Sequence, residues 1–134
     1  MSIVLVRRAL EKKLASLAPA LPTAWDNAAF TPVTGQAWQR VSVLRNTPRG
    51  VDLAAETTEL RGFLSINLFY PTGAGTALAE ARGELLRAHF KPVQRLIEGA
   101  VTVELLTPVD VEIGRADDGW WHIPVNVAWR AFTA

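Results

Sequence analysis

Imidazole chemistry in this chain would run through two residues, His89 and His122. His122 follows Asp117 and Asp118 closely enough to imitate a metal cluster. The acids, however, sit in the Asp118-Gly119 hairpin signal, and no second histidine stands at ligand spacing, so turn chemistry explains them better. His89 falls late in a helical segment, where the helix dipole favours an imidazole. A Ser/His/Asp hydrolase needs a nucleophile with a positioned base, and there is no G-x-S-x-G elbow. The absence of cysteine removes disulfides, thiolate metal sites and cysteine nucleophiles, and fits a reducing compartment. Tyr70-Pro71-Thr72-Gly73-Ala74-Gly75 has the look of a phosphate cradle, yet it lacks the Gly-Lys-Ser/Thr ending of a P-loop and does not match G-x-G-x-x-G. Its glycines turn a strand into a helix, and an anion at that helix start stays open. Trp120-Trp121 could stack a sugar or base, but adjacent strand residues point to opposite faces. Trp121 is expected inside and Trp120 in a contact. No catalytic, cofactor-binding or metal residue is therefore assigned.

The elements that would carry these residues are legible as periodicities. Ile3, Val6, Leu10, Leu14 and Leu17 make one apolar stripe on a helix over residues 2–17, with Ser2 as N-cap and Pro19 and Pro22 beyond its end. Arg7, Arg8, Glu11, Lys12 and Lys13 occupy the opposite face, which suits solvent as well as an anionic partner. A strand over residues 38–44 precedes a polar stretch, Asn46 to Glu59, longer than the usual connection. That loop is expected to touch a partner or neighbour and to order on assembly. Leu60 to Tyr70 alternates as a half-buried antiparallel strand, with Phe63 and Phe69 interrupting its polar face. Thr76 to Lys91 reads as a helix capped by Thr76, with Leu78, Ala81, Leu85 and Ala88 facing inward and Pro92 at its end. Val93 to Glu98 reads as a further turn closed by Gly99. Strands follow at 100–106 and 109–113. The last strand turns Trp121, Ile123, Val125, Val127 and Trp129 one way and His122, Asn126 and Arg130 the other. Pro124 cannot donate a ladder hydrogen bond, which suggests an edge or a bulge there and an invitation to augmentation. The sum is a single α+β domain over residues 1–134, ordered α-β-β-α-β-β-β: a mostly antiparallel sheet of four to five strands with two main helices on one face.

Net charge is +1, too low for a dedicated nucleic-acid binder. Its distribution is uneven. Residues 1–50 hold seven Lys/Arg against two acids, a net +5, and residues 51–134 hold seven against eleven, a net −4. Opposite patches suit a head-to-tail contact, although ordinary solvated surface would produce the same count. Five tryptophans in so short a chain point to aromatic subunit contacts. Ile3-Val4-Leu5-Val6 ahead of Arg7-Arg8 is too short for a secretory core, and no run approaches a membrane span of about 20 residues.

The 60–91 stretch, LRGFLSINLFYPTGAGTALAEARGELLRAHFK, together with the Ala24-Trp25-Asp26-Asn27 piece and the closing Ile123-Pro124-Val125-Asn126-Val127 strand, resembles the bacteriophage and prophage tail-terminator family (minor tail protein U-like). The resemblance spans nearly the whole chain in order and local flavour. It implies a non-enzymatic tail assembly protein without cofactors: one subunit of a six-fold ring that caps the tail tube, stops its polymerisation and gives the head a docking surface. Its partners would be further copies of itself, the tail tube protein and the head–tail connector protein, with no membrane and no dedicated nucleic-acid binding. It would lie in the cytoplasm of the bacterial host before assembly and in the virion tail afterwards. Charge and expected exposure nominate Arg7, Arg8 and Lys12, the loop residues Arg49, Asp52, Glu56 and Glu59, and Trp120 and Phe132 as assembly-interface residues. A head-to-tail completion or adaptor protein is the rival within assembly. A small-ligand-binding or enzymatic α+β domain, and more weakly a nucleic-acid module, are the rivals outside it.

Overall fold

The computed structural model describes residues 2–51 and 57–133, the side chains of Ser2 and Thr133 excepted. Among the described residues two helices, α1 (Ser2–Ala15) and α2 (Ala77–His89), accompany nine strands: β1 (Thr23–Ala24), β2 (Trp38–Arg45), β3 (Arg49–Gly50), β4 (Thr58–Pro71), β5 (Arg95–Glu98), β6 (Val101–Leu105), β7 (Asp110–Val111), β8 (Arg115–Asp117) and β9 (Trp120–Thr133). They form one curled sheet in the order β1-β2-β4-β9-β6-β5, with β3 on β4 and β7 and β8 on β9. The α+β class holds, but the sheet is larger than the four to five strands expected and is mixed, because β1 runs parallel to β2.

Its spine is the β4–β9 pair, in register along both strands from Thr58 opposite Thr133 to Pro71 opposite Trp120. The period-2 alternation read from sequence holds in both. Leu60, Leu64, Ile66 and Leu68 on β4, and Ile123, Val125, Val127, Trp129 and Ala131 on β9, are buried against the helices. Residues of both helices join this one core, so both lie on the same face of the sheet.

β9 is not an edge strand. β4 covers one side of it, and β8, β7 and β6 line up end to end along the other. Pro124 is tolerated because of a gap in that second row. Its carbonyl accepts the Glu112 N–H at 2.9 Å, and a strand residue's N–H and C=O point to the same neighbour. The missing donor therefore faces the break between β7, which ends at Val111, and β8, which begins at Arg115.

Two connections also differ from expectation. Arg95–Glu98 forms the edge strand β5, paired antiparallel with β6, rather than a helical turn. The polar stretch after β2 is partly built into the sheet: Arg49 and Gly50 pair with Glu59 and Thr58, and the Asn46 N–H donates to the Arg61 carbonyl at 2.8 Å. At this point β2 crowds β4. A Cβ on Gly62 would lie 1.9 Å from the Leu44 carbonyl oxygen, so glycine alone allows the approach.

The helices differ in how they meet the sheet. α1 buries Val6, Leu10 and Leu14, with Leu17 just beyond its end, while Ile3 is 40% exposed. α2 buries Ala79, Arg82, Gly83 and Leu86, and the expected inward set Leu78, Ala81, Leu85 and Ala88 faces solvent. The cause is a close approach. A Cβ on Gly83 would come 2.8 Å from Val111 Cγ1, so the face against β7 must carry small residues, and Leu78 and Leu85 turn outward while Leu86 alone of the leucines stays in the core. Thr76 holds the N-cap position of α2 without a side-chain capping bond. His89 donates from Nε2 to the Lys13 carbonyl at 2.6 Å, tying the end of α2 to the end of α1.

Candidate assembly surfaces

The basic face of α1 is engaged within the subunit. Arg7 donates to Asp26 at 2.8 Å and lies 3.3 Å from Glu11. Lys12 reaches Glu98 on β5 at 3.0 Å, and Arg8 lies 3.9 Å from the same carboxylate. Asp26 is a junction, because its carboxylate also accepts the Val43 N–H at 3.1 Å and the Ser42 hydroxyl at 2.9 Å. Burial pushes the Asp26 carboxyl up, but hydrogen bonds from Arg7, Val43 and Ser42 outweigh it and hold its pKa below the usual value. The +5 and −4 halves of the sequence thus meet inside the subunit: Glu98 and Glu59 neutralise cations from the first fifty residues.

Glu59 and Phe132 belong to a second cluster at the far end of the β4–β9 ribbon. Glu59 is buried, opposite Phe132 in register, and its carboxylate forms ion pairs with Arg49 at 3.1 Å and Arg61 at 4.0 Å. Arg130 lies 5.3 Å over the half-exposed Phe132 ring and 3.7 Å from Glu104. Asp52 and Glu56 lie outside the described residues.

Trp120 stands at the opposite end of β9, about 40 Å away along a strand of this length. It is half-buried in an aromatic cluster on the sheet face that the helices leave open. Trp38 stacks on Phe69 at 4.3 Å, Phe30 on Trp38 at 5.2 Å, and Trp120 meets Trp38 edge-on at 5.9 Å. Trp121 points the other way and packs on the main core, as alternation requires. His122 is buried, which a polar outer face does not predict. Its ring stacks on Phe69 at 4.6 Å, and Nε2 lies 2.8 Å from Asn67 Oδ1. Burial lowers its pKa, and Asp117, 3.7 Å from Nδ1, only partly offsets this. Among the described residues no three metal-ligating side chains converge.

The nominated residues therefore fall into three separate places, two of them already paired internally. What sequence reasoning missed is an apolar surface. Leu78 (71% exposed) and Leu85 (43%) rise from α2, with the exposed Ala81 and Ala88 completing a stripe one helical face wide. Ile113 between β7 and β8 and Ile97 on the edge strand β5 are exposed as well. Val93 is exposed with φ +63°, a conformation that costs a β-branched residue about 1–3 kcal/mol. The helical spacing of Leu78 and Leu85 was visible in the sequence; only the small residues on the other side, Ala79 and Gly83, signalled which way the helix turns. Among the described residues no helix is long and apolar enough to cross a membrane.

The profile of a family described as phage tail terminator protein matches residues 5–129. A solved structure is similar over 98% of this chain and 96% of its own, with a TM-score of 0.82 at 28% identity. No curated protein matches the sequence.

Proposed function

The chain belongs to the phage tail terminator family, which makes it a phage tail assembly protein, and from that premise we propose that it works as a ring-forming cap on the tail tube. Subunits close a ring on the tube end; the ring blocks addition of further tube protein and presents its other side to the head–tail connector. The observation that carries this reading is the family match across nearly the entire chain. The work is done by geometry and not by catalysis, in the host cytoplasm first and in the virion tail afterwards.

The surfaces support a subunit made for contacts. The α2 stripe of Leu78, Ala81, Leu85 and Ala88 is apolar, continuous and uncovered, the property that distinguishes contact surfaces from scattered exposed leucines. It is assigned here to the contact between neighbouring subunits. The open sheet face, with its polar centre of Arg40, Ser42, Ser65, Asn67 and Asn126, is a second broad surface, polar where the α2 stripe is apolar.

The test is electron microscopy of tails from a productive phage or prophage that lacks this gene. Overlong, headless tubes are the expected outcome. Tubes of normal length without heads would move the assignment to a head-to-tail completion protein, and normal virions would reject both.

A further inference from the structure

Where the carboxyl end of α1, the segment leading into β1, β2 and α2 come together lies a cavity of about 230 Å³, walled by Leu14, Leu17, Trp25, Thr23, Gln39 and Arg82. Arg82 is 4% exposed and Gln39 3%. The Arg82 Nη1 donates to the Pro19 carbonyl, which uses one of the five N–H groups of a guanidinium. Its Nε–H has no partner, and neither has the Gln39 Oε1. Among the described residues the ion pairs engage nine other cation–acid combinations and none reaches Arg82. The other titratable group acting on it is the half-buried Tyr70 hydroxyl. A buried cation without a counter-charge costs several kcal/mol, and a trapped water would satisfy the hydrogen bonds while leaving the charge unbalanced.

We propose that this cavity receives a single carboxylate, which pairs with the Arg82 guanidinium. The planar fork of arginine matches a carboxylate's two oxygens. Leu14, Leu17 and Trp25 give apolar walls for a short aliphatic stem, and the volume lies below the range of drug-sized sites. One cation among apolar walls suits a monoanion better than a phosphate. Gln39 donates from Nε2 to Thr23 Oγ1 at 3.0 Å; turning its amide over presents the NH₂ group to the anion. The carboxylate comes either from a free small acid or from an acidic side chain of a second copy.

The experiment follows the Trp25 indole N–H of the full chain by NMR during titration with sodium propionate, against sodium chloride at equal ionic strength. A saturable displacement with propionate alone is expected, weakened roughly tenfold or more in Arg82→Gln, the loss of a charge-assisted bond. Because Arg82 is buried, Ala20→Leu serves as the second variant: Ala20 is exposed and lines the cavity, so leucine there fills the space while the arginine stays. Ala20→Leu should abolish the displacement. A response equal in chloride, or one that survives both variants, overturns the proposal. In the absence of propionate, the same displacement appearing as protein concentration rises identifies the second copy as the source; no change with concentration identifies a free acid.

Discussion

α1 and α2 lie on the same face of one sheet and divide their leucines differently between core and solvent. α1 buries Leu10 and Leu14 and settles its charged outer face against Asp26 and Glu98. α2 buries an arginine, two small residues and a single leucine, Leu86, and leaves Leu78 and Leu85 in water. The first helix puts its leucines into the core and exposes large apolar groups only at its start, Ile3 and Val4. The second meets the sheet through small residues and Leu86 and leaves two of its three leucines uncovered along its length, so the two elements, of nearly equal length, contribute unequally to stability and to exposed apolar surface.

The widest separation between the two should come from the core. Leu10 is fully buried, and Leu10→Ala is expected to lower unfolding free energy by about 3 kcal/mol in urea. A loss under about 1 kcal/mol would mean that α1 is less firmly seated than its burial indicates. Gly83→Ala comes next, at about 1–3 kcal/mol, because the new methyl meets Val111 Cγ1 at 2.8 Å and β-branched valine has little freedom to yield. Elsewhere on an exposed helix face glycine to alanine stabilises. A stabilised Gly83→Ala protein would therefore show that α2 does not need its close contact with β7.

These positions also explain what the sequence disclosed. Period-2 alternation placed the core faces of β4 and β9 correctly, because Leu64, Ile66, Val125 and Val127 are both large and inward. The α1 stripe was legible for the same reason. α2 was misread because size was taken as the mark of the inside, whereas helix-to-sheet distance selected Ala79 and Gly83. The central position of β9 was hidden by Pro124, whose missing donor falls opposite a gap that only the tertiary arrangement of β7 and β8 creates. The interface nominations failed to converge for a further reason: charge in sequence is not charge in space, and Arg8 and Lys12 find their acid far along the chain, on Glu98, while Arg49 finds Glu59 across the β3–β4 pairing.

Acid should loosen α1 and spare α2. The Asp26 carboxyl titrates below its ordinary range in the folded chain, so its contribution is fully present above the unfolded value of about 3.9 and disappears as pH falls through the lower folded value. The stability difference between the natural protein and Asp26→Asn should be constant near neutrality and shrink below about pH 4. Burial also lowers the Arg82 pKa, yet a guanidinium stays charged throughout that window. A gap between the two proteins that persists unchanged to the acid limit would dissociate Asp26 from the anchoring of α1.

The smallest effect on the subunit tests the largest claim about its use. Replacing Leu78 and Leu85 together by serine removes exposed apolar surface without opening a cavity, so unfolding free energy should move by no more than about 0.5 kcal/mol per site. Under the reading of α2 as a contact surface, the same protein should fail to form rings and fail to restore tail length in cells lacking the natural gene. A variant that is equally stable and fully competent would leave the leucines as ordinary exposed residues and remove α2 from the contact. A variant that is markedly destabilised would instead show that the stripe is covered within the subunit, and the contrast between the helices would collapse.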